Sequence, residues 1–264
     1  MNYKNFHTHT VYGDGKGTPE QMVEAAIEQG FEALGFSEHS YTPCDLSYCM
    51  KTDKTDEYIK EIKLLKEKYA DKIRIYLGLE ADLYFDGTDL DEFEYRIGSV
   101  HYIKVGDNFL TVDNSAGEQK RDVEKYFGGS FDAYCTAYYE QLASVAEKTK
   151  ASFIGHFDLV TKFNENDRLF STKTPAYVSA WKNAADALLK YNIPFEINTG
   201  AIARGKRVTP YPAPEIARYI TEKGGSLILS SDCHDSRFLT CEFDRCLEIY
   251  KDCNIVDFEK ILNS

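Results

Sequence analysis

The chain has 264 residues, 43% of them hydrophobic and 28% charged, a globular balance with length enough for a sizeable core. A net charge of −12 works against nucleic acid and anionic lipid, and the one compact basic run, Arg204-Gly205-Lys206-Arg207, suits a single small anion. No run reaches the roughly 18 apolar residues of a membrane span, no apolar leader opens the chain, and seven cysteines do not form an even framework, so a reduced, cytoplasmic protein is expected.

Short apolar segments alternate with helical patterns along the sequence. A strand is expected over residues 3–9, a helix over 18–30, a strand over 33–38 and a helix over 55–70. Strands at 73–81 and 95–102 come next, then a helix at 137–149 and a strand at 153–157. A helix at 175–191, strand at 194–198, helix at 212–223, strand at 226–232 and helix at 241–251 complete the series. Thr18, Pro19 and Gln21 supply the cap, first-turn proline and capping-box partner of the first helix, and Gly30 stops it. In the second helix Tyr58, Ile62, Leu65 and Tyr69 share one face.

Residues 103–136 are too polar for core strands and read as a lid-like insertion with a small hairpin, Phe109 to Val112, and some local helix; 158–174 is similarly irregular. The repeated strand-then-helix order, without a break, predicts one domain over residues 1–264. It also favours an α/β barrel of parallel strands over a doubly wound sheet, because of where the polar residues fall.

All six histidines stand at or just past the end of an expected strand: His7 and His9 in FHTHT, His39 in GFSEHS, His101 in IGSVHY, His156 in FIGHFD and His234 in LSSDCHD. Asp14, Glu80 and Asp232 occupy matching places. In a βα barrel the C-terminal ends of the strands meet at one mouth, so these nine residues would converge. Imidazole nitrogen and carboxylate oxygen without thiolate suit Zn²⁺, Mn²⁺ or Fe²⁺, and nine ligands suffice for two or three ions per chain. Ions about 3.5–4 Å apart need a bridging anion, for which Glu80, alone at its strand end, is the candidate. Three dications against three carboxylates leave a positive site that would attract a phosphate dianion, with a metal-bridging hydroxide as nucleophile.

These motifs, with DG at 14–15, GLEAD and EINTG, occur in an order that resembles the polymerase-and-histidinol-phosphatase (PHP) superfamily, closest to its histidinol-phosphatase branch, over residues 6 to about 235. The resemblance implies a distorted (β/α)₇ TIM-like barrel with a trinuclear site. It implies His7, His9, Glu80 and Asp232 for one ion, Glu80, His101 and His156 for a second, and Asp14, His39 and His234 for a third. The implied reaction is hydrolysis of the small phosphate monoester L-histidinol phosphate, a step of histidine biosynthesis. Other phosphoesterase activities of the superfamily, on nucleotides, nucleic acid or phosphotyrosine, and a non-catalytic metal-binding module stand as alternatives.

Substrate contacts are sought in NTGAIARGKR, where Arg204 or Arg207 would grip phosphate in a bidentate fork. Glu196 and Asn198 lie two apart at a strand end and suit the outer support that metal ligands need; Asp158 shares a face with His156. Tyr12, Tyr41 and Tyr102 neighbour the motifs and are candidates for an imidazole pocket. Asp232 and His234 are close enough to the chemistry to protonate the leaving alkoxide, although each is also a proposed ligand.

Overall fold

Seven parallel strands hydrogen-bonded in sequence order form the frame of the computed structural model, which describes residues 3–263. Strand β1 (Tyr3–Asn5) pairs with β2 (Phe31–His39), β2 with β3 (Arg74–Asp82) and β3 with β4 (Tyr95–Ser99). An antiparallel hairpin, β5 (Tyr102–Val105) and β6 (Asn108–Thr111), then leaves the sheet. The sheet resumes with β7 (Phe153–Ile154), β8 (Phe195–Asn198) and β9 (Leu227–Ser230). Just past β1 and β9 the chain ends meet: His9 N–H donates to the Cys233 carbonyl at 2.8 Å and Cys233 N–H to that of His7 at 3.0 Å. These two bonds nearly close the barrel, as the distorted seven-stranded expectation requires.

The helices are α1 (Pro19–Glu28) after β1, α2 (Thr55–Lys68) after β2, and α3 (Ala116–Phe127), α4 (Phe131–Leu142) and α5 (Val145–Thr149) between β6 and β7. Then come α6 (Pro175–Leu188), the single turn α7 (Gly200–Ala203), α8 (Pro214–Glu222), α9 (Phe243–Ile249) and α10 (Phe258–Leu262). Eight of the nine residues of β2 are buried, as in a parallel strand covered on both faces. Phe6, Ala33, Tyr76, Tyr95, Ile97, Phe153, Ile228 and Phe258 pack into one cluster that fills the barrel. Tyr95 is its keystone, because its hydroxyl donates to the carbonyls of Phe6 and Phe36 at 2.8 and 3.0 Å.

The strand over 3–9 is shorter than expected, and the histidine segment pairs instead with residue 233 across the closure. The helix expected at 137–149 divides into α4 and α5, and α4 begins earlier, where Ser130 caps it through the Ala133 N–H. Helix α3 buries only Gln119 and Val123, so it shows no apolar period; Ser115 and the left-handed Gly128 define its ends. Among the described residues no helix is long and apolar enough to cross a membrane.

Candidate metal centre

The closure places His7 and His9 against Asp232 and His234, because the same backbone bonds that join the barrel's edges align the two segments. His39 ends β2, Glu80 lies near the end of β3, and His101 and His156 come two residues past β4 and β7. Asp14 arrives on the loop after β1. That loop is bent tightly enough that a Cβ on Gly15 would stand 2.3 Å from the His9 carbonyl carbon and oxygen. Asp232 itself has φ of +47°, a left-handed kink that turns its carboxylate toward the two histidines of the first segment.

Glu80 is the centre of the assembly. Its Oε2 lies 3.2 Å from His7 Nε2, 3.4 Å from His9 Nε2 and 2.7 Å from His39 Nδ1. Its Oε1 lies 2.8 Å from His156 Nε2 and 3.6 Å from His101 Nε2. Asp232 Oδ1 faces His7, His9 and His234 at 3.6, 3.4 and 3.4 Å. Asp14 Oδ1 faces His39 and His234 at 3.5 and 3.1 Å.

Three groups have donor atoms mutually close enough to share an ion: His7, His9 and Asp232; His9, Asp14, His39 and His234; and His39, Glu80 and His101. They differ from the sets implied by resemblance in three details. Glu80 is absent from the His7, His9 and Asp232 group. His9 joins the Asp14 group, and His39 stands with Glu80 and His101 where His156 was expected, although His156 keeps its contact to Glu80.

Three carboxylates hold the centre from behind, two of which the sequence reading passed over. Glu196 Oε1 accepts from His7 Nδ1 at 2.6 Å, while its Oε2 accepts from the His156 N–H and the Asn198 side chain, each at 2.9 Å. Asp82 Oδ2 accepts from the N–H and Nδ1 of His101 at 3.0 and 3.1 Å. Its signal was its place two residues after Glu80. Glu38 Oε1 takes the N–H and hydroxyl of Thr10 at 2.7 and 2.6 Å, and Thr10 in turn accepts from Gly13 and Gly15 in the Asp14 loop.

Burial disfavours an imidazolium at His7, yet Glu196, Glu80 and Asp232 outweigh it and raise its pKa well above the ordinary value. Burial likewise opposes charge at His101, but Asp82 and Glu80 prevail and lift it to about 9. At His9 burial wins, reinforced by His39 and His234, and the pKa falls well below normal. Burial pushes the Glu80 carboxyl up, but His39, His7 and His101 pull it well below the carboxylate range; Arg204 and then His7 do the same for Asp232. The cluster is a sink for positive charge.

A cavity of about 270 Å³ opens over this centre, and Arg204, Lys206 and Lys162 line it. Arg204 reaches Asp232 Oδ2 at 3.0 Å and His234 Nδ1 at 2.8 Å. Arg207 is turned elsewhere: it donates to the Thr209 carbonyl and hydroxyl and to both oxygens of Thr161, and it stacks 4.5 Å over the Tyr211 ring. Tyr102 lines the cavity with Tyr48, which the sequence reading missed; Tyr12 instead donates to Glu61. Asp158 accepts from the Ala213 N–H at 3.0 Å, apart from the nine-residue cluster.

The residues fit divalent cations. His7 Nε2, both ring nitrogens of His9, Glu80 Oε2 and His156 Nδ1 are buried without a hydrogen bond. Orphaned nitrogen and oxygen donors at this density are costly unless something positive satisfies them, and the set is that of borderline dications.

The PHP domain family matches residues 5–200. A protein of Deinococcus radiodurans named "Probable histidinol-phosphatase" is 30% identical over 86% of this chain and 85% of its own length. The histidinol-phosphatase of Bacillus subtilis is 24% identical over 94% of this chain and 99% of its own. The structure of histidinol phosphate phosphatase from Lactococcus lactis, in complex with zinc, L-histidinol and phosphate, superposes with a TM-score of 0.71 at 21% identity, over 96% of this chain and 94% of that one.

Proposed function

This chain belongs to the PHP domain family, and from that premise we propose that it is a metal-dependent phosphomonoesterase hydrolysing L-histidinol phosphate to L-histidinol and phosphate. The observation that carries the reading is one buried carboxylate, Glu80, ringed by five imidazoles beneath a cavity lined by cationic side chains. The names of the relatives supply the substrate.

Zn²⁺, Mn²⁺ or Fe²⁺ would be held in two or three positions. His7, His9 and Asp232 would form one, with Glu80 Oε2 beside both imidazoles. His9, Asp14, His39 and His234 would form another, and His39, Glu80 and His101 with His156 the third, so that Glu80 would serve the first and the third. Dications bound there make water nucleophilic near neutral pH and offset charge on the phosphoryl oxygens. The chain's own part is orientation. Glu196 accepts a hydrogen bond from His7 Nδ1–H and leaves Nε2 facing Glu80, and Asp82 does the same for His101. Arg204 presents two guanidinium nitrogens above Asp232 and His234, a planar fork for phosphate oxygens; Arg207, with its donors spent on Thr161 and Thr209, serves the loop. The residues 102–114 supply one wall of the cavity and would act as its cover. A cavity of about 270 Å³ and a net charge of −12 support a small ester over nucleic acid.

The test is phosphate release from L-histidinol phosphate after reconstitution with Mn²⁺, Zn²⁺ or Fe²⁺, with elemental analysis of the same sample. Activity abolished by chelator is expected. Full metal content with no ester cleaved, or a decisive preference for a dinucleotide, overturns the reading.

A further inference from the structure

The cavity has a second wall that neither the metal ligands nor the phosphate fork uses. Tyr48 packs its ring against His39 and His101, with centroids 4.8 and 5.8 Å apart, and lies 6.3 Å from the ring of Tyr102. Beyond these rings is Asp45. The Tyr102 hydroxyl donates to its Oδ2 at 3.1 Å, while the Ser47 N–H and hydroxyl donate to its Oδ1 at 2.9 and 2.6 Å. Burial works to raise the Asp45 pKa, but the Ser47 bonds outweigh it, so the group is an anion. The other carboxylate of this wall, Asp113, is matched by Lys162 Nζ at 2.9 Å. Among the described residues no basic side chain pairs with Asp45.

Three donors fill both acceptor sites of Oδ1 and one of Oδ2, leaving a single oriented lone pair at the end of an aromatic wall. A flat heteroaromatic ring carrying an N–H satisfies both features: its face packs on tyrosine and its edge donates to carboxylate. We propose that Asp45, held by Ser47 and Tyr102, recognises the imidazole N–H of the substrate, and that this contact selects the ring end of the ester. The inference rests on the histidinol-phosphate reading above. It separates the site into a phosphate end at Arg204 and a ring end at Asp45, with the ammonium between them.

The experiment uses the metal-loaded enzyme and three competitive inhibitors: L-histidinol, L-alaninol, which keeps the amino alcohol but lacks the ring, and inorganic phosphate. In Asp45→Asn the inhibition constant of L-histidinol should rise about tenfold, the scale of one charge-assisted hydrogen bond, while those of L-alaninol and phosphate move less than twofold. Tyr102→Phe, which releases one of the groups holding Asp45, should weaken L-histidinol in the same direction by a smaller factor. An unchanged L-histidinol constant in both variants overturns the proposal. So does an equal loss for L-alaninol, which would assign Asp45 to the ammonium. A wild-type enzyme that turns over no L-histidinol phosphate defeats the parent reading instead, and is seen before any variant is made.

Discussion

A carboxylate that meets three imidazoles through one oxygen and two through the other cannot become an amide without turning half of its acceptor surface into a donor. Glu80→Gln keeps the shape and removes the anion that would offset repulsion between neighbouring cations. The expected result is loss of two ions per chain by elemental analysis, with kcat reduced about a thousandfold, in the range that electrostatic groups at reacting centres command. Retention of the full complement would remove Glu80 from the bridge. The two arginines should part company under the same kind of test. Arg204→Ala is expected to raise KM for histidinol phosphate about tenfold to a hundredfold, one to two charge-assisted bonds, with a smaller loss of stability than at Arg207 because its side chain is partly exposed. Arg207→Ala should leave KM nearly unmoved and cost about 2–4 kcal/mol of stability, because the Thr161 oxygens and the Glu165 carboxylate lose their buried partner. The reverse pattern would move the phosphate grip to Arg207.

At the scale of elements, Glu196 joins three strands: it stands on β8, accepts from His7 Nδ1–H beyond β1 and fixes the backbone of His156 beyond β7. An amide in its place accepts more weakly from His7 and frees the ring to turn. Glu196→Gln should therefore weaken metal binding about tenfold to a hundredfold in a chelator competition, while the chain stays folded. Wild-type affinity would show that packing alone orients His7. Strand ends were the readable part of this architecture. The histidines and Glu80 declare themselves because parallel strands repeat one polarity, so motifs at successive C-terminal ends must gather. Asp45, Tyr48 and Lys162 gave no such signal, because the loops after β2 and β7 bring them to the cavity and no backbone period marks a loop residue. Arg204 and Arg207 were inseparable for the same reason. They lie three residues apart after the single turn α7, and only tertiary contacts send one over Asp232 and the other beneath Thr161. Helix α3 was expected only as local helix without bounds inside 103–136, because two buried residues in twelve make no stripe.

For the whole molecule, proton binding at the mouth of the barrel should set how stability varies with pH. In the metal-free chain His101 has a pKa of about 9, above the ordinary value near 6.5. Its contribution is complete below about pH 6.5 and is lost as pH rises through 9. Glu38 acts in the same direction: burial, opposed by Thr10, raises its carboxyl to about 8, so the native chain keeps a proton that the unfolded chain releases in weak acid. Glu80 and Asp232, held below the carboxylate range, contribute above their ordinary pKa values and lose that contribution only in stronger acid. Chelator-treated protein should accordingly show a Tm that falls between about pH 6.5 and 9, since the native state there binds more protons than the unfolded one. Cations must displace those imidazole protons to bind, so the rise in Tm on adding Mn²⁺ or Zn²⁺ should grow across the same window. Thermal melts at fixed ionic strength, with and without metal, measure both slopes. A metal-free Tm that climbs through this range would mean that the nine residues do not titrate as one coupled cluster.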